Sequence, residues 1–315
     1  MLITNPLTPT VSPKTIPERI KSRLQNDIRL FFRRRIRQQI MPLLPKYPAS
    51  QKGSTLHMLV GERDHEMAII TACLFNYHTN HAHRFVFHDD GSLSERAIEQ
   101  FQEFLSGTRI IGRREADEIA QEKLKAFPRT LAYRYSHVMA LKLIDVKLWG
   151  QGARIGYMDS DILFFKNPEA FVDTLVKQRD FNYFNRDIED AYVTEREVIV
   201  QELGYGPASR INAGLWVMNA KDICLEQIEM WLNHPFFASY ASNYRLEQTF
   251  IAMLAQRSAE GVRHLPDTYN VDFYKPVEQN VCKHYVGRIR YGYELEGLSY
   301  VLKKEDLKKE RRKAL

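Results

Sequence analysis

The chain has 315 residues, 44% of them hydrophobic and 11% aromatic, enough apolar material for one large core or two modest ones and unlike a disordered or fibrous chain. Its net charge of +6 is uneven: residues 1–52 hold eleven Lys or Arg against Glu18 and Asp27, residues 302–315 hold seven against three acids, and the stretch between them is left at −7. An acidic body lacks the basic folded surface that tracks a phosphate backbone, so nucleic-acid binding is disfavoured, while the basic termini remain able to meet anionic partners or the periphery of a membrane.

Residues 1–15 carry four Thr and three Pro and read as a loose leader. Residues 16–41 read as a basic helix stopped by Pro42, Pro45 and Pro48. Its apolar residues Ile16, Ile20, Leu24, Ile28, Phe32, Ile36 and Ile40 recur every fourth position, and each such step drifts about 40° on a helix, so two short contact faces are expected and no single straight stripe. Packing on a folded body and adsorption to an anionic membrane or partner both fit. The start lacks a basic segment followed by an apolar core, and no run of about 20 apolar residues occurs anywhere. With three scattered cysteines, Cys73, Cys224 and Cys282, and no CxxC pair, a reducing, cytoplasmic setting is expected.

From residue 55 short apolar runs alternate with amphipathic stretches, the pattern of a sheet covered by helices. Strands are predicted at 55–60, 84–88 and 108–111, and helices near 64–77, 93–105 and 130–148. The run Arg154-Ile155-Gly156-Tyr157-Met158 ends in Asp159-Ser160-Asp161, and Ile162-Leu163-Phe164-Phe165 follows. A strand with acids at its carboxyl end marks a candidate site, because ligands of open α/β sheets bind outside those ends. Ile211–Met218 reads as a buried strand, followed by helices near 222–232 and 245–257 and a late strand near 281–286. The division is 1–52 as leader and basic helix, 53–301 as one catalytic domain, and 302–315 as a basic tail.

Asp159 and Asp161 lie one residue apart, so in an extended chain both carboxylates leave one face, about 6.6 Å apart. Two such groups repel unless a cation balances them, and oxygen ligands of this kind suit Mg or Mn, ions that bridge protein carboxylates to substrate phosphates. A solvated turn capping the next element is the bland alternative, but apolar runs on both sides place the pair in the interior, where unpaired charge is expensive. His78, His81 and His83 are spaced like metal ligands yet fall in a polar link, and His88-Asp89-Asp90-Gly91 reads as a turn.

Tyr157-Met158-Asp159-Ser160-Asp161-Ile162-Leu163 resembles the Asp-x-Asp signature of GT-A glycosyltransferases, especially those similar to glycosyltransferase family 8. Asn212-Ala213-Gly214, Glu247-Gln248, Leu265-Pro266 through Tyr269-Asn270, and His284-Tyr285-Val286-Gly287 resemble further segments of that family in the same order, over residues 55–295. Glu247-Gln248-Thr249 stands where the family has Asp-Gln-Asp, and no Trp follows Arg290. The resemblance implies a GT-A type Rossmann-like mixed sheet flanked by helices. It implies Mn2+ or Mg2+ held by Asp159, Asp161 and His284, a UDP-sugar as donor, and a glycan, lipid-linked or protein acceptor, with retention of anomeric configuration. Arg134, Asp159, Asn212, Gly287 and Arg290 would face the donor, with Arg288 competing for the role of Arg290, and Gln248 or Glu247 would lie near the reacting sugar face. An aspartyl-nucleophile phosphatase, a sugar nucleotidyltransferase and a non-catalytic sugar-binding descendant are the alternatives. Leu163 in place of a Thr or Val counts against the first, and a missing Gly-rich basic loop near the first strand against the second. Neutral imidazole as third ligand suits Mn better than Mg.

Overall fold

The computed structural model describes residues 30–48, 55–80, 83–177, 181–258, 261–272 and 274–304. The predicted leader, the first half of the predicted basic helix and most of the basic tail lie outside these described residues. The described chain begins with helix α1 over residues 30–40. It continues through β1 (Thr55–Val60), α2 (His65–Thr79), β2 (Arg84–Asp89), α3 (Glu95–Phe104), β3 (Arg109–Ile111), α4 (Arg113–Lys123), α5 (Pro128–Ser136), α6 (Leu141–Trp149) and β4 (Arg154–Met158). After these come β5 (Ile162–Phe164), α7 (Glu169–Val176), β6 (Asn182–Arg186), α8 (Arg196–Leu203), β7 (Ile211–Asn219), α9 (Leu225–Asn233), α10 (Pro235–Ala238), α11 (Leu246–Ala255), β8 (Val262–His264), β9 (Tyr269–Asn270), β10 (Cys282–His284) and α12 (Ser299–Lys303).

Seven strands form one mixed sheet in the order β3-β2-β1-β4-β7-β6-β8. β1 runs parallel to β2 and β4, while β7 is antiparallel to both β4 and β6. All nine residues of β7 are buried, as expected of a central strand covered on both faces. Alternation divides its side chains between two cores: Leu215 and Val217 join Met58, Ile70 and Leu74 on the α2 side, and Trp216 and Met218 join Tyr157, Ile144 and Phe250 on the α6 and α11 side. Each fully buried side chain of this size contributes about 1.5–3 kcal/mol. Helices on both faces of a mixed sheet make this the α/β architecture expected from the sequence.

A second sheet, β5-β10-β9, pairs β10 antiparallel with β5, His284 opposite Ile162. This pairing returns the late part of the chain to the Asp-Ser-Asp segment. The acids do not lie on one extended strand: β4 ends at Met158 in the large sheet, the chain turns at Ser160–Asp161, and β5 belongs to the small sheet. Predicted helix 130–148 is likewise two helices. His137 between them is extended (φ −153°, ψ 139°) and its ring accepts the N–H of Met139, a side-chain cap that ends one helix and starts the next. Past this break α6 carries Lys142 to Asp159.

Helix α1 packs on this body. Ile40, Met41 and Leu44 are buried in the α2-side core, Ile36 packs against it, and the N–H of Tyr47 bonds Phe104 O at 2.8 Å. Phe32, one step earlier in the same row, is 51% exposed, the outcome of a four-residue repeat drifting round a helix of 3.6 residues per turn.

Candidate metal centre

Asp159 follows β4, and its N–H bonds Gly214 O on β7 at 2.7 Å, while the carbonyl of Asp161 accepts the N–H of Tyr285 at 2.9 Å. Each acid is thus tied to a different sheet, and the turn between them faces the carboxyl ends of β1, β2 and β4. His284 at the end of β10 completes the group. Ligand atoms of Asp159, Asp161 and His284 all lie within 4.8 Å of one another, and among the described residues no other group of His, Cys, Asp or Glu does this. His78 and His83 are in no such group, and residue 81 lies outside the described residues. Asp89 Oδ1 accepts the N–H groups of Gly91, Ser92 and Leu93, so His88-Asp89-Asp90-Gly91 forms a turn.

The proton arrangement of His284 follows from its neighbours. Asn212 Oδ1 accepts the N–H of Gly214 at 3.0 Å, and Asn212 Nδ2 donates to Asp187 Oδ2 at 2.9 Å, which fixes the amide with its oxygen toward the imidazole. His284 Nδ1, 2.8 Å from that oxygen, must therefore be the donor. In the neutral ring this leaves the Nε2 lone pair directed at Asp161 Oδ1, 2.9 Å away, and toward Asp159 Oδ2 at 3.6 Å. A lone pair facing two carboxylates is favourable only with a proton or a cation between them, and a histidine whose second nitrogen is held by a fixed acceptor is the usual arrangement of a metal ligand. Gly214 makes the approach possible: a Cβ there would stand 2.0 Å from His284 Cε1 and 2.8 Å from Asp159 Oδ2.

Charges around the acids are balanced in part by Lys142, a residue that sequence patterns did not single out. Lys142 on α6 is buried, with Nζ 2.9 Å from Asp159 Oδ2 and 3.8 Å from Glu247 Oε1. Burial opposes its charge, but attraction by Asp159 and Glu247 outweighs this and raises its pKa. Tyr157 donates its hydroxyl to Asp159 Oδ1 at 2.8 Å. Burial would raise Asp161, yet His284, Arg290 and Lys142 together bring its carboxyl down to about 2. Arg290 reaches Asp161 Oδ2 at 3.5 Å and Asp64 Oδ2 at 2.8 Å. Glu247 is different: burial, reinforced by Asp159 and only partly opposed by Lys142, pushes it up to about 7. Lys142 therefore belongs chiefly to Asp159. The signal for it in the sequence is a lone cation inside the apolar run Ala140–Ile144.

The other expected residues divide. Gln248 is half-buried, its Oε1 accepting the N–H of Ala213 at 3.3 Å and its Nε2 donating to Ala191 O at 3.1 Å, whereas Glu247 is 2% exposed. Asn212 holds His284 with one end and Asp187 with the other. Arg134 is buried and spends its guanidinium on Asp145 (2.5 and 2.9 Å) and Asp117 (2.6 Å), away from the three-ligand group. Gly287, at φ +42°, opens the turn that carries Arg290; the Arg288 side chain lies outside the described residues. A cavity of about 590 Å³ sits at the other end of the sheet, lined by the strand starts Thr55, Arg84 and Arg109 with Trp149 and Gln151. It contains none of these groups.

No protein-family model matches the sequence, and no curated protein matches it. Solved structures similar to the chain include mouse xyloside xylosyltransferase 1 in its apo form, at 15% identity over 75% of this chain and 97% of that one, with a TM-score of 0.47. Others are the galactosyltransferase LgtC with donor and acceptor sugar analogues (14% identity, 78% and 94% covered, TM-score 0.45) and core-mannan synthase A from Aspergillus fumigatus in a Mn/GDP form (11%, 71% and 76%, TM-score 0.43).

Proposed function

We propose that the chain is a divalent-cation-dependent glycosyltransferase of GT-A type, similar to family 8, that moves a sugar from a nucleotide diphosphate sugar, in the first instance a UDP-sugar, to a hydroxyl of a glycan, lipid-linked or protein acceptor. The observation that carries this reading is the His284 tautomer: an imidazole pinned by Asn212 presents Nε2 to two carboxylates at the carboxyl end of β4. Asp159, Asp161 and His284 would hold the ion, and two oxygens with one nitrogen suit Mn2+ as well as Mg2+. When bound, the cation supplies positive charge against the donor diphosphate and so stabilises the departing nucleotide.

The protein's own groups act around that centre. Lys142 and Tyr157 fix Asp159 from below, and Arg290 stands on the open side of Asp161, able to exchange Asp64 for a diphosphate oxygen. Gln248, half-buried where Glu247 is buried, and bonded to Ala213 beside Asn212, is the member of the Glu247-Gln248 pair assigned to the sugar, with retention of configuration as the expected outcome. Buried Glu247 stabilises or releases the charge of Lys142. Arg134 is assigned to bracing α5 on α6 and α4, which supports Lys142 indirectly. Residues 30–48 of the 1–52 extension are read as part of the folded unit, and residues 302–315 as a basic tail whose first two residues close α12. No helix among the described residues is long and apolar enough to cross a membrane.

The test is a pair of titrations of the purified full chain with UDP, one with Mn2+ and one with EDTA, followed by hydrolysis assays on several nucleotide sugars. Tight UDP binding that depends on Mn2+, with turnover of one donor, supports the proposal. Equal UDP affinity in Mn2+ and EDTA removes the metal from the reading, and turnover of none of the donors removes the transferase.

A further inference from the structure

Glu294 is a fully buried carboxylate outside the candidate centre, in the π-helical turn Tyr293–Leu298. Among the described residues its charge is met only by α1: Arg33 Nε lies 2.7 Å from Oε2 and Arg37 Nε 3.3 Å from Oε1, with Arg37 also 3.2 Å from Glu66 on α2. A buried carboxylate stripped of its partners is strongly destabilising, so the turn keeps this geometry only while α1 is docked. The turn is also joined to the centre. Tyr293, beside Glu294, donates its hydroxyl to Met67 O at 3.0 Å and lies 3.0 Å from the Thr71 hydroxyl. That hydroxyl sits 2.8 Å from the carbonyls of Ser160 and Ile162, on either side of Asp161. Three residues before Tyr293 is Arg290, on Asp161 and Asp64. Single-turn π-helices occur frequently at functional sites, and this one connects a distant helix to a ligand-bearing turn.

We propose that α1 is a positioning element of the centre: Arg33 and Arg37, acting through Glu294, seat the 287–303 segment so that Arg290 and the Asp159–Asp161 turn are held ready for the metal and the diphosphate. The inference rests on the proposed glycosyltransferase site for what is positioned, and on the ion pairs alone for how. The basic extension is then part of the donor site, through contacts that never touch donor. Its neighbours in sequence, Arg34 and Arg35, make no such pair with the turn.

The experiment compares the full chain as wild type, R33Q/R37Q, E294Q and R33Q/R37Q/E294Q, reading UDP affinity with Mn2+ and with EDTA, melting temperature, and hydrogen exchange of residues 287–303. The double variant, with a buried charge left alone, is expected to lose about tenfold in Mn-dependent UDP affinity and to exchange faster over 287–303. The triple variant, in which no charge is left to compensate, should recover most of both. A double variant with a lower melting temperature but wild-type UDP affinity shows a structural role only and overturns the proposal. If the double variant does not fold, E294Q decides: wild-type UDP affinity and wild-type exchange over 287–303 in E294Q overturn it. Wild type without Mn-dependent UDP affinity defeats the glycosyltransferase reading instead, and unchanged exchange over 287–303 in the double variant then defeats the seating as well.

Discussion

Substituting Gly214 by alanine is the sharpest test of the centre because a single methyl is added and no charge changes. At Gly214 a Cβ would meet His284 Cε1 at 2.0 Å, His284 Nδ1 at 2.6 Å and Asp159 Oδ2 at 2.8 Å. Carbon atoms in contact rest at about 3.5–4.0 Å, so the imidazole must move by roughly 1.5 Å or β7 must give way. β7 is buried throughout and paired on both edges, and the ring is therefore the part that moves. Movement costs the Asn212 contact that fixes its tautomer. Overpacking of this size costs about 1–3 kcal/mol of stability, and loss of an outer partner to a ligating histidine about 10–100-fold in metal affinity. Titration of Mn2+ into Gly214→Ala, with UDP affinity alongside, should show both losses. In a His284→Ala background the methyl has room, so the stability cost should largely vanish; strictly additive costs in that cycle, or wild-type Mn2+ affinity in Gly214→Ala, would refute the geometry.

Asp161→Ala is expected to abolish donor hydrolysis and Mn2+ binding in a folded protein, and Asp161→Asn to fail nearly as badly because shape is kept but charge is lost; donor turnover at wild-type rate in either would remove Asp161 from the ligand set. Lys142→Met leaves Asp159 without its buried partner, so the urea midpoint should fall by the equivalent of about 3–5 kcal/mol and be partly restored by Mn2+. An unshifted midpoint counts against the charge balance described above. Acid should weaken the fold through the His57–His88 pair, 2.9 Å apart in the core. Burial lowers His57 from 6.5 to about 4, and His88 well below its ordinary value through burial and the nearby His57 and Arg134. Above pH 6.5 both states are neutral and the stability is full; as pH falls from 6.5 toward 4 the unfolded chain takes up a proton that folded His57 refuses, removing about 3 kcal/mol over that window. Urea midpoints at pH 7 and 4.5 for wild type and His57→Leu should differ in slope, and equal slopes would show that the pair does not carry the effect.

Much of the frame was legible because it depends on local periodicity. The strands at 55–60, 84–88 and 154–158 and the buried run at 211–218 correspond to β1, β2, β4 and β7. The split of 130–148 was not, since a single His137 side chain accepting the backbone N–H of Met139 outweighs an amphipathic pattern. Short elements such as α7, α8 and β6 carry too few residues for a period to stand out. At the centre, Asp159, Asp161 and His284 were legible by resemblance, and the structure brings these three together. The sequence points Asn212 at the donor, and in the structure its amide also holds His284 and Asp187. The sequence points Arg134 at the donor, and in the structure its guanidinium is on Asp145 and Asp117, while Lys142 on α6, a residue with no motif around it, reaches Asp159. Which carboxylate each of these cations meets depends on the break at His137, and no pattern on one side of that break reveals the direction of the other.

The reason for expecting a metal also changes between sequence and structure. Adjacent aspartates in a buried setting suggest a cation because their charges would otherwise be uncompensated, yet Lys142 stands on Asp159 and Arg290 on Asp161. Net charge alone therefore does not require an ion. The case for one rests on direction: Lys142 approaches Asp159 Oδ2 from α6, Tyr157 occupies Oδ1, and Arg290 lies on Asp161 Oδ2, which leaves Asp161 Oδ1 and His284 Nε2 facing each other, an arrangement that a proton on Nε2 or a cation satisfies. Those atoms have no N–H between them when the ring is neutral, because Asn212 has taken the only one. The expectation of His284 as third ligand thus comes to rest on the orientation of one amide, and Asn212→Asp, which keeps an acceptor for Nδ1 but cannot donate to Asp187, should preserve Mn2+ binding better than Asn212→Leu, which offers no acceptor at all. Equal metal affinity in the two variants would mean that the tautomer is not set there.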